Sequence, residues 1–600
     1  MSIERMIMAT LKFDTALHIG AGKGDTPTDS PLRRKGDGKI FLPGRALGGS
    51  LRTLTTRLAP RFGMQACKAL REVISGKQEL CGCRVCQLFG ELYPNEDDAE
   101  ETGGAASRLW ISDAFLQTAD PQTHIRDGVG IGRSTGAAAR TAKFAYEVVP
   151  RQAAFNFHLK LLDDESPAAH ERAQLLAATL AEWQAGRGQL GASVARGLGR
   201  FHLENLHCMK TNLASADDLI AYLKADDRSV VGTLDSEWLQ CALNEAVEAI
   251  DLPVARGFLT IEFTLALESP FLTNDPLAAM LAGFDHAPLA EVALTADHHA
   301  GTPMLSGASL RGALRSRAEK IARTLATEHW WRQSRQLEAT PEAQDRQARE
   351  NFLAHGPACD PFVKVSGEPL ASCDKRLSIP DEQEVPEGAL CLSCQLFGSP
   401  RRGSRLFVED AHWTDLPLGP DTCKVQDFLA IDRFTGGGQE HAKFDAAPLL
   451  GARFSARLTL QNPRDWELGW LALILRDLAE GELTLGFGAA KGYGQARATN
   501  FKWSFGFLTP NDFPGAASLL VDPQPSGIYK LCQASGAVTG WLPESWEAQA
   551  QIWVEAFTQR ARNFTPDAEW KPFQKDSFFD HEGQMLKLYG MPLVEVSRHE

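Results

Sequence analysis

Residues 83–90 read CRVCQLFG, and residues 391–398 read CLSCQLFG. Working outward from this pair, the similarity spreads across most of the chain. LPGRALGGSLRTLTTRLA at 42–59 is echoed by LSGASLRGALRSRAEKIA at 305–322. WISDAF at 110–115 matches FVEDAH at 407–412, and VGIGRSTGAAARTAKF at 129–144 matches LAIDRFTGGGQEHAKF at 429–444 without a gap. LGASVARGLGRFHLEN at 190–205 matches LGFGAAKGYGQARATN at 485–500. The five blocks keep one order at offsets between 263 and 308 residues. Chance does not preserve such an order, so two homologous domains lie in tandem.

Each copy opens with an alternating strand, over 7–17 and 259–267. A polar loop leads to a short strand ending in Pro43-Gly44 or Ser306-Gly307, and a helix begins there. Leu47, Leu51, Leu54 and Leu58 share one side at helical spacing, as do Leu310, Leu314 and Ala318. A second helix is expected at about 167–183 and 466–478, then a glycine-rich loop and a closing strand. Strand-helix-strand-strand-helix-strand is the ferredoxin-like pattern, an α+β fold. The expected domains are residues 1–210 and 257–505, with a polar connector at 211–256 and an excursion at 324–390. Residues 506–600 form an aromatic-rich extension with no twin.

Among the 600 residues, 44% are hydrophobic and 23% charged, the composition of a globular protein. No stretch is apolar enough to span a membrane, and the start lacks the basic-then-apolar pattern of a secretory signal. The expected compartment is the cytoplasm. The net charge of −14 speaks against nucleic acid only on average, because binding depends on local patches. Residues 31–61 hold eight Lys/Arg against one acidic residue, and residues 305–323 hold five against one.

In a reducing compartment the twelve cysteines read as thiols or metal ligands. Cys67, Cys81, Cys83 and Cys86 make one group, and Cys359, Cys373, Cys391 and Cys394 a second. A CxxC turn brings two thiolates to one ion, and four thiolates make a closed tetrahedral Zn2+ site with no open position. Structural zinc that staples a loop-rich insertion is therefore favoured over catalytic zinc. His355 is an alternative to Cys359 or Cys373 in the second site. Cys208, Cys241, Cys423 and Cys532 read as core thiols.

Three further repeated features each have two readings. Arg196-Gly-Leu-Gly-Arg200 and Lys491-Gly-Tyr-Gly-Gln495 are either tight turns before a strand or phosphate-approaching loops beside a cation. Gly49 and Arg52 correspond to Gly312 and Arg315, which lie either on a solvated helix face or along a polynucleotide groove. Gly132-Arg-Ser-Thr-Gly136 and Asp432-Arg-Phe-Thr-Gly436 are glycine-edged loops with one arginine, either plain surface hairpins or hairpins that press on nucleotides. The loop after the first strand carries Asp25, Asp29 and Asp37 in one copy. In the other it carries Asp275, Asp285 and Asp297 with His286, His298 and His299. Loop aspartates usually form turns; beside a basic groove they can ligate Mg2+ or act on a 2′-hydroxyl.

The LPGRALGGSLR, CxxCQLFG, IDRFTGG and GAAKGYG blocks resemble the RAMP (repeat-associated mysterious protein) backbone subunits of type III CRISPR effector complexes. The tandem arrangement is similar to the double-backbone subunit of type III-D. It also resembles two consecutive backbone domains of the single-chain type III-E effectors. The resemblance covers about residues 1–210 and 257–505. It implies RNA-recognition-motif-like cores, each with a zinc-binding insertion and a projecting thumb hairpin. It also implies a job: to bind CRISPR RNA beside further backbone, cap, small and large subunits, and to cut complementary target RNA. That cut would use Mg2+ or Mn2+ and the target's 2′-hydroxyl. Asp29, in Thr-Asp-Ser-Pro, matches the family's catalytic aspartate. In the second copy the match is Asp285, in Phe-Asp-His-Ala-Pro, a loop that departs from the commoner Asp-Ser-Pro form, and Asp25 and Asp297 stand as substitutes. Arg133 and Arg433 fall at the thumb base. The RNA-facing set is completed by Arg45, Arg52, Lys143, Arg196, Gly197, Gly199, Arg311, Arg315, Lys443, Lys491, Gly492 and Gly494.

Overall fold

A computed structural model describes residues 3–570 apart from 23–27, 68–80, 93–103, 119–120, 134–135, 165, 249–256, 292–300, 363–371, 381–382, 415–420 and 537–540. Asp25, Asp297, His298 and His299 lie outside the described residues. The chain is α+β, with antiparallel sheets in both halves. In the first, strand Ile3–Phe13 is central, flanked by Arg200–Asn212 on one side and Ala154–Asp163 on the other, with Leu109–Ile111 beyond. In the second, Phe258–Leu267 lies between Gln495–Phe507 and Arg453–Gln461, with Leu406–Val408 and Ala411–Trp413 beyond. Last-first-third-second is the antiparallel order of a ferredoxin-like unit.

Alternation explains why these strands hold. Ile7, Leu11 and Phe13 are fully buried, as are Leu259 and Leu265. Each such side chain stabilises the fold by about 1.5–3 kcal/mol relative to leaving it exposed. The duplication extends to irregularities. Register shifts between Met8 and Thr10 in one sheet and between Glu262 and Thr264 in the other. Opposite these bulges, Asn205 and Asn500 adopt left-handed φ of 55° and 56°. Asparagine tolerates that conformation better than other residues with a Cβ.

The helix Gly44–Leu58 has no side-chain cap of its own at Pro43; Asp113 accepts from the Gly44 N–H at 2.9 Å instead. Asp410 does the same for Gly307 at 2.8 Å. The second helix runs Gly307–Ser334, ten residues beyond 324, because its sequence contains no breaker there. The later helices are Pro167–Glu182 and Asp465–Ala479. The connector holds helices Ala216–Lys224 and Ser236–Glu248, the latter packed on Pro167–Glu182.

The carboxy-terminal extension clasps both halves. Tyr529–Ser535 adds a strand to Gln495–Phe507, and helix Glu547–Arg562 covers Asp465–Ala479, stacking Phe557 on Trp470 at 5.0 Å. Tyr529 accepts a hydrogen bond from Arg61 of the first half, and Trp570 donates to Ala389 O in the second. No helix among the described residues is long and apolar enough to cross a membrane.

Candidate nucleic-acid interface and metal centres

A separate two-stranded hairpin projects from each half: His124–Ile131 with Ala138–Val148, and Gln426–Ile431 with Gly438–Ala446. Both leave apolar side chains bare. Val129 and Ile131 are about half exposed, Leu429 and Ile431 slightly more, and Phe434 is 99% exposed. Asp29 and Asp285 meet these hairpins at matching points. The Ala145 N–H donates to Asp29 Oδ2 at 2.7 Å, and the Asp445 N–H donates to Asp285 Oδ2 at 2.9 Å. Residues 145 and 445 each follow the phenylalanine of the AKF block. The irregular Phe-Asp-His-Ala loop therefore puts its carboxylate where the Thr-Asp-Ser loop puts its own. Both carboxylates are exposed. Asp445 is a second carboxylate at the later site, where the first has Ala145; the Asp285 N–H donates to it at 2.8 Å. Comparing AKFDA with AKFAY would have found it.

The cysteines gather as two four-sulfur groups, each with all sulfurs within 4.8 Å of one another. Observed contacts include Cys67–Cys86 at 3.2 Å, Cys67–Cys83 at 3.8 Å and Cys359–Cys394 at 3.4 Å. Tetrahedral thiolates at the zinc–sulfur bond length sit about 3.8 Å apart, so both groups fit one ion each. In the first, the hydrogen bond from Cys86 holds Cys83 down to about 4, and the same contact pushes Cys86 up. In the second, burial raises Cys391, but hydrogen bonds from Cys359, Cys373 and Cys394 outweigh it and hold it low. A cation entering either group displaces those shared thiol protons. The second group is wholly buried and the first is partly open. His355 takes no part: it stacks on Trp330 at 5.6 Å, and four cysteines complete the set without it. Cys208 and Cys532 are buried, as a core thiol should be, but Cys241 and Cys423 are on the surface.

Comparison with protein families agrees with this duplicated geometry. The RAMP superfamily model matches residues 10–202 and again residues 265–497, well over half of the chain. The chain belongs to the RAMP superfamily. No curated protein matches it individually. Membership points to a CRISPR-associated, RNA-binding subunit built from two RAMP domains.

The glycine loops of the two RAMP domains are tight turns first. Gly199 and Gly494 have φ of 76° and 79°, and a Cβ on either would lie 1.9 Å from a carbonyl oxygen, Leu190 or Leu485. Gly197 and Gly492 are also left-handed, but Gly197 is packed against Asp410 of the second domain while Gly492 faces open space. Arg45, Arg196, Arg433 and Lys491 are exposed. Lys491 lies over Phe444 and Phe487, at 5.6 and 5.3 Å from the ring centroids. Lys143 and Lys443 make matching exposed pairs with Asp127 and Asp427, both at 3.2 Å.

Four arginines expected to face RNA are engaged inside the protein. Arg52 and Arg315 each donate to the last cysteine of their own cluster, Cys86 and Cys394, both at 3.6 Å. Arg311 donates to Phe397 O and Ser404, and burial with Arg315 and Arg196 nearby pushes it down to about 9. Arg133 is buried against Glu319 at 2.8 Å, and both it and Arg433 lie in the turns beyond Ile131–Ala138 and Ile431–Gly438, at the far ends of the hairpins and not at their bases as expected. Sequence blocks pair Arg52 with Arg315 and Arg133 with Arg433, while Arg311 matches Gly48, and they carry no information on which long side chains turn inward.

The joint between the RAMP domains was invisible in the sequence. Arg126 pairs with Asp410 at 2.6 Å, Arg133 with Glu319 at 2.8 Å, Arg151 with Glu291 at 2.8 Å and Arg200 with Glu409 at 2.9 Å. Each pair has its cation in the first domain and its carboxylate in the second.

Proposed function

We propose that this protein is a CRISPR-RNA-binding backbone subunit of a type III effector complex, of the III-D-like double-domain form. In this reading it cleaves guide-paired target RNA at two places. The observation that carries it is the matched pair Asp29 and Asp285, each an exposed carboxylate latched to the same residue of a hairpin that leaves apolar side chains bare. Such a hairpin can wedge into a guide–target duplex and expose a nucleotide on its bare side chains. Base pairing then reads sequence, and the protein reads shape and backbone. Gly49 and Gly312 support contact from outside. A helical glycine costs about 1 kcal/mol against alanine, and a Cβ at either would meet no atom within 4 Å among the described residues, so their packing does not require them. Arg45, Arg196, Arg433, Lys143, Lys443 and Lys491 are the cations this reading sets along the RNA.

The reaction is a transesterification. The target's 2′-hydroxyl loses its proton and attacks the adjacent phosphorus, and the P–O5′ bond breaks to give a 2′,3′-cyclic phosphate and a 5′-hydroxyl. Mg2+ or Mn2+ would supply charge neutralisation at the phosphate. Asp29 and Asp285 hold their carboxylates at the hairpin base, where the splayed nucleotide would lie. Zn2+ in the cysteine clusters is structural. The working assembly includes CRISPR RNA, complementary target RNA and further backbone, cap, small and large subunits in the cytoplasm.

Asp29→Asn and Asp285→Asn test the assignment, since asparagine keeps an acceptor for the hairpin N–H and loses the charge. In the assembled complex each substitution should abolish one of two cleavage products and leave guide binding intact. Both cuts surviving in the double variant would return the aspartates to a latching role and leave the alternative, a non-catalytic RNA scaffold.

A further inference from the structure

Glu319 is completely buried and lies where three parts of the molecule meet. It accepts from Arg315 Nε at 2.7 Å, from Ser393 Oγ at 2.9 Å and from Arg133 Nε at 2.8 Å. Arg315 and Ser393 belong to the second domain, and Arg133 belongs to the hairpin of the first. Arg315 also donates to Cys394 Sγ, and Arg323, one turn further along the helix from Glu319, donates to Cys359 O at 2.9 Å. The same hairpin is seated on Phe362: Arg133 lies 5.9 Å from the ring centroid, and a Cβ on Gly130 would come within 2.4 Å of the ring. One carboxylate thus links the first domain's hairpin to the second domain's cysteine cluster.

The duplication supplies a control. In the first domain Arg52 makes the same contact with Cys86, yet the position matching Glu319 is Thr56, whose hydroxyl donates to Arg52 O on its own helix. A cysteine cluster with its arginine therefore does not need this carboxylate. Burying a carboxylate is unfavourable unless it is fully paired, and the added pairing here comes from the first hairpin.

We propose that Glu319 is a positioning residue that fixes the first domain's hairpin through Arg133 and makes that hold depend on an intact, metal-filled cluster at Cys359, Cys373, Cys391 and Cys394. The dependence runs one way along the chain. The second cluster governs the hairpin that carries Ala145, the latch for Asp29, whereas among the described residues the first cluster has no such link to either hairpin. This positioning stands independently of whether Asp29 cleaves RNA.

Hydrogen exchange of the full chain, without RNA, tests it over 124–148, with the matching hairpin 426–446 as internal reference and zinc content measured in parallel. Glu319→Thr, which copies the first domain, and Arg133→Met should each speed exchange over 124–148 about tenfold or more, the scale of one lost charge-assisted hydrogen bond. Exchange over 426–446 and both zinc ions should be unchanged. Cys394→Ser should loosen the same hairpin and Cys86→Ser should not. Because Cys394→Ser risks unfolding its domain, Arg315→Gln, which keeps all four thiols, should produce the loosening with zinc retained. Parent-like exchange in Glu319→Thr overturns the proposal, as does equal loosening by Cys86→Ser and Cys394→Ser. A loss of RNA cleavage without hairpin loosening would also overturn it, while hairpin loosening with no cleavage in the parent would overturn only the nuclease reading.

Discussion

Asp113 and Asp410 occupy matching positions and cap matching helices, but only Asp410 also meets an arginine from the other domain. Replacing each with asparagine therefore separates two energies within one molecule. Asp113→Asn keeps an acceptor for the Gly44 N–H and loses only the negative charge at the helix start, worth about 0.3–1 kcal/mol. Asp410→Asn weakens the same kind of cap and strands the Arg126 guanidinium, which is 5% exposed. Removing one partner of a buried pair costs about 3–5 kcal/mol, because the remaining charge stays desolvated. The difference, about 2–4 kcal/mol, should appear at the domain joint. Arg126→Met completes a double-mutant cycle with Asp410→Asn, in which the two together should cost at least about 1 kcal/mol less than the sum of each alone. Native-state hydrogen exchange over 124–131 and 303–314 measures joint opening without assuming that the whole chain unfolds in one step. Equal costs for Asp113→Asn and Asp410→Asn, or strict additivity in the cycle, would refute the claim that this pair sets the joint.

Cys86→Ser and Cys394→Ser should each remove one metal ion, counted by elemental analysis; the second should destabilise its domain more, because its four sulfurs are wholly buried. Gly199→Ala and Gly494→Ala should each cost several kcal/mol in thermal or urea unfolding, since a Cβ would strike a carbonyl oxygen at 1.9 Å. Gly492→Ala faces open space and should cost only about 1–2 kcal/mol, the left-handed penalty. Arg433→Ala should weaken RNA binding across sequences and lower the salt slope by about one unit, as expected for one lost phosphate contact.

Much of the fold was legible because repetition is a strong signal. Matched blocks, strand alternation and the Leu47–Leu51–Leu58 spacing set the element order, and the paired CxxC turns marked both metal sites. Asp285 shows how far local pattern carries. Its loop differs in sequence from that of Asp29, so its match to Asp29 rested on the family resemblance alone, and the geometry behind it, both carboxylates on the same hairpin residue, came with the structure. The four inward-turned arginines show the opposite failure. Arg52, Arg133, Arg311 and Arg315 look like surface cations in a basic stretch, yet a long side chain can turn toward sulfur, carbonyl or carboxylate without any change in the pattern.

By itself the amino-acid sequence determined two tandem α+β units, their RAMP kinship and two four-cysteine sets. The units and the cysteine sets rest on repetition, periodicity and local spacing, and the kinship on the resemblance of short motif blocks; all are carried by short stretches of chain. Tertiary structure alone decided how the units meet: Arg126 on Asp410, Arg133 on Glu319, and the terminal extension clasped over both. Those partners are separated by 284, 186 and, for Arg61 with Tyr529, 468 residues. No local pattern specifies which distant charge will share a buried pocket, because that depends on how two complete surfaces fit together.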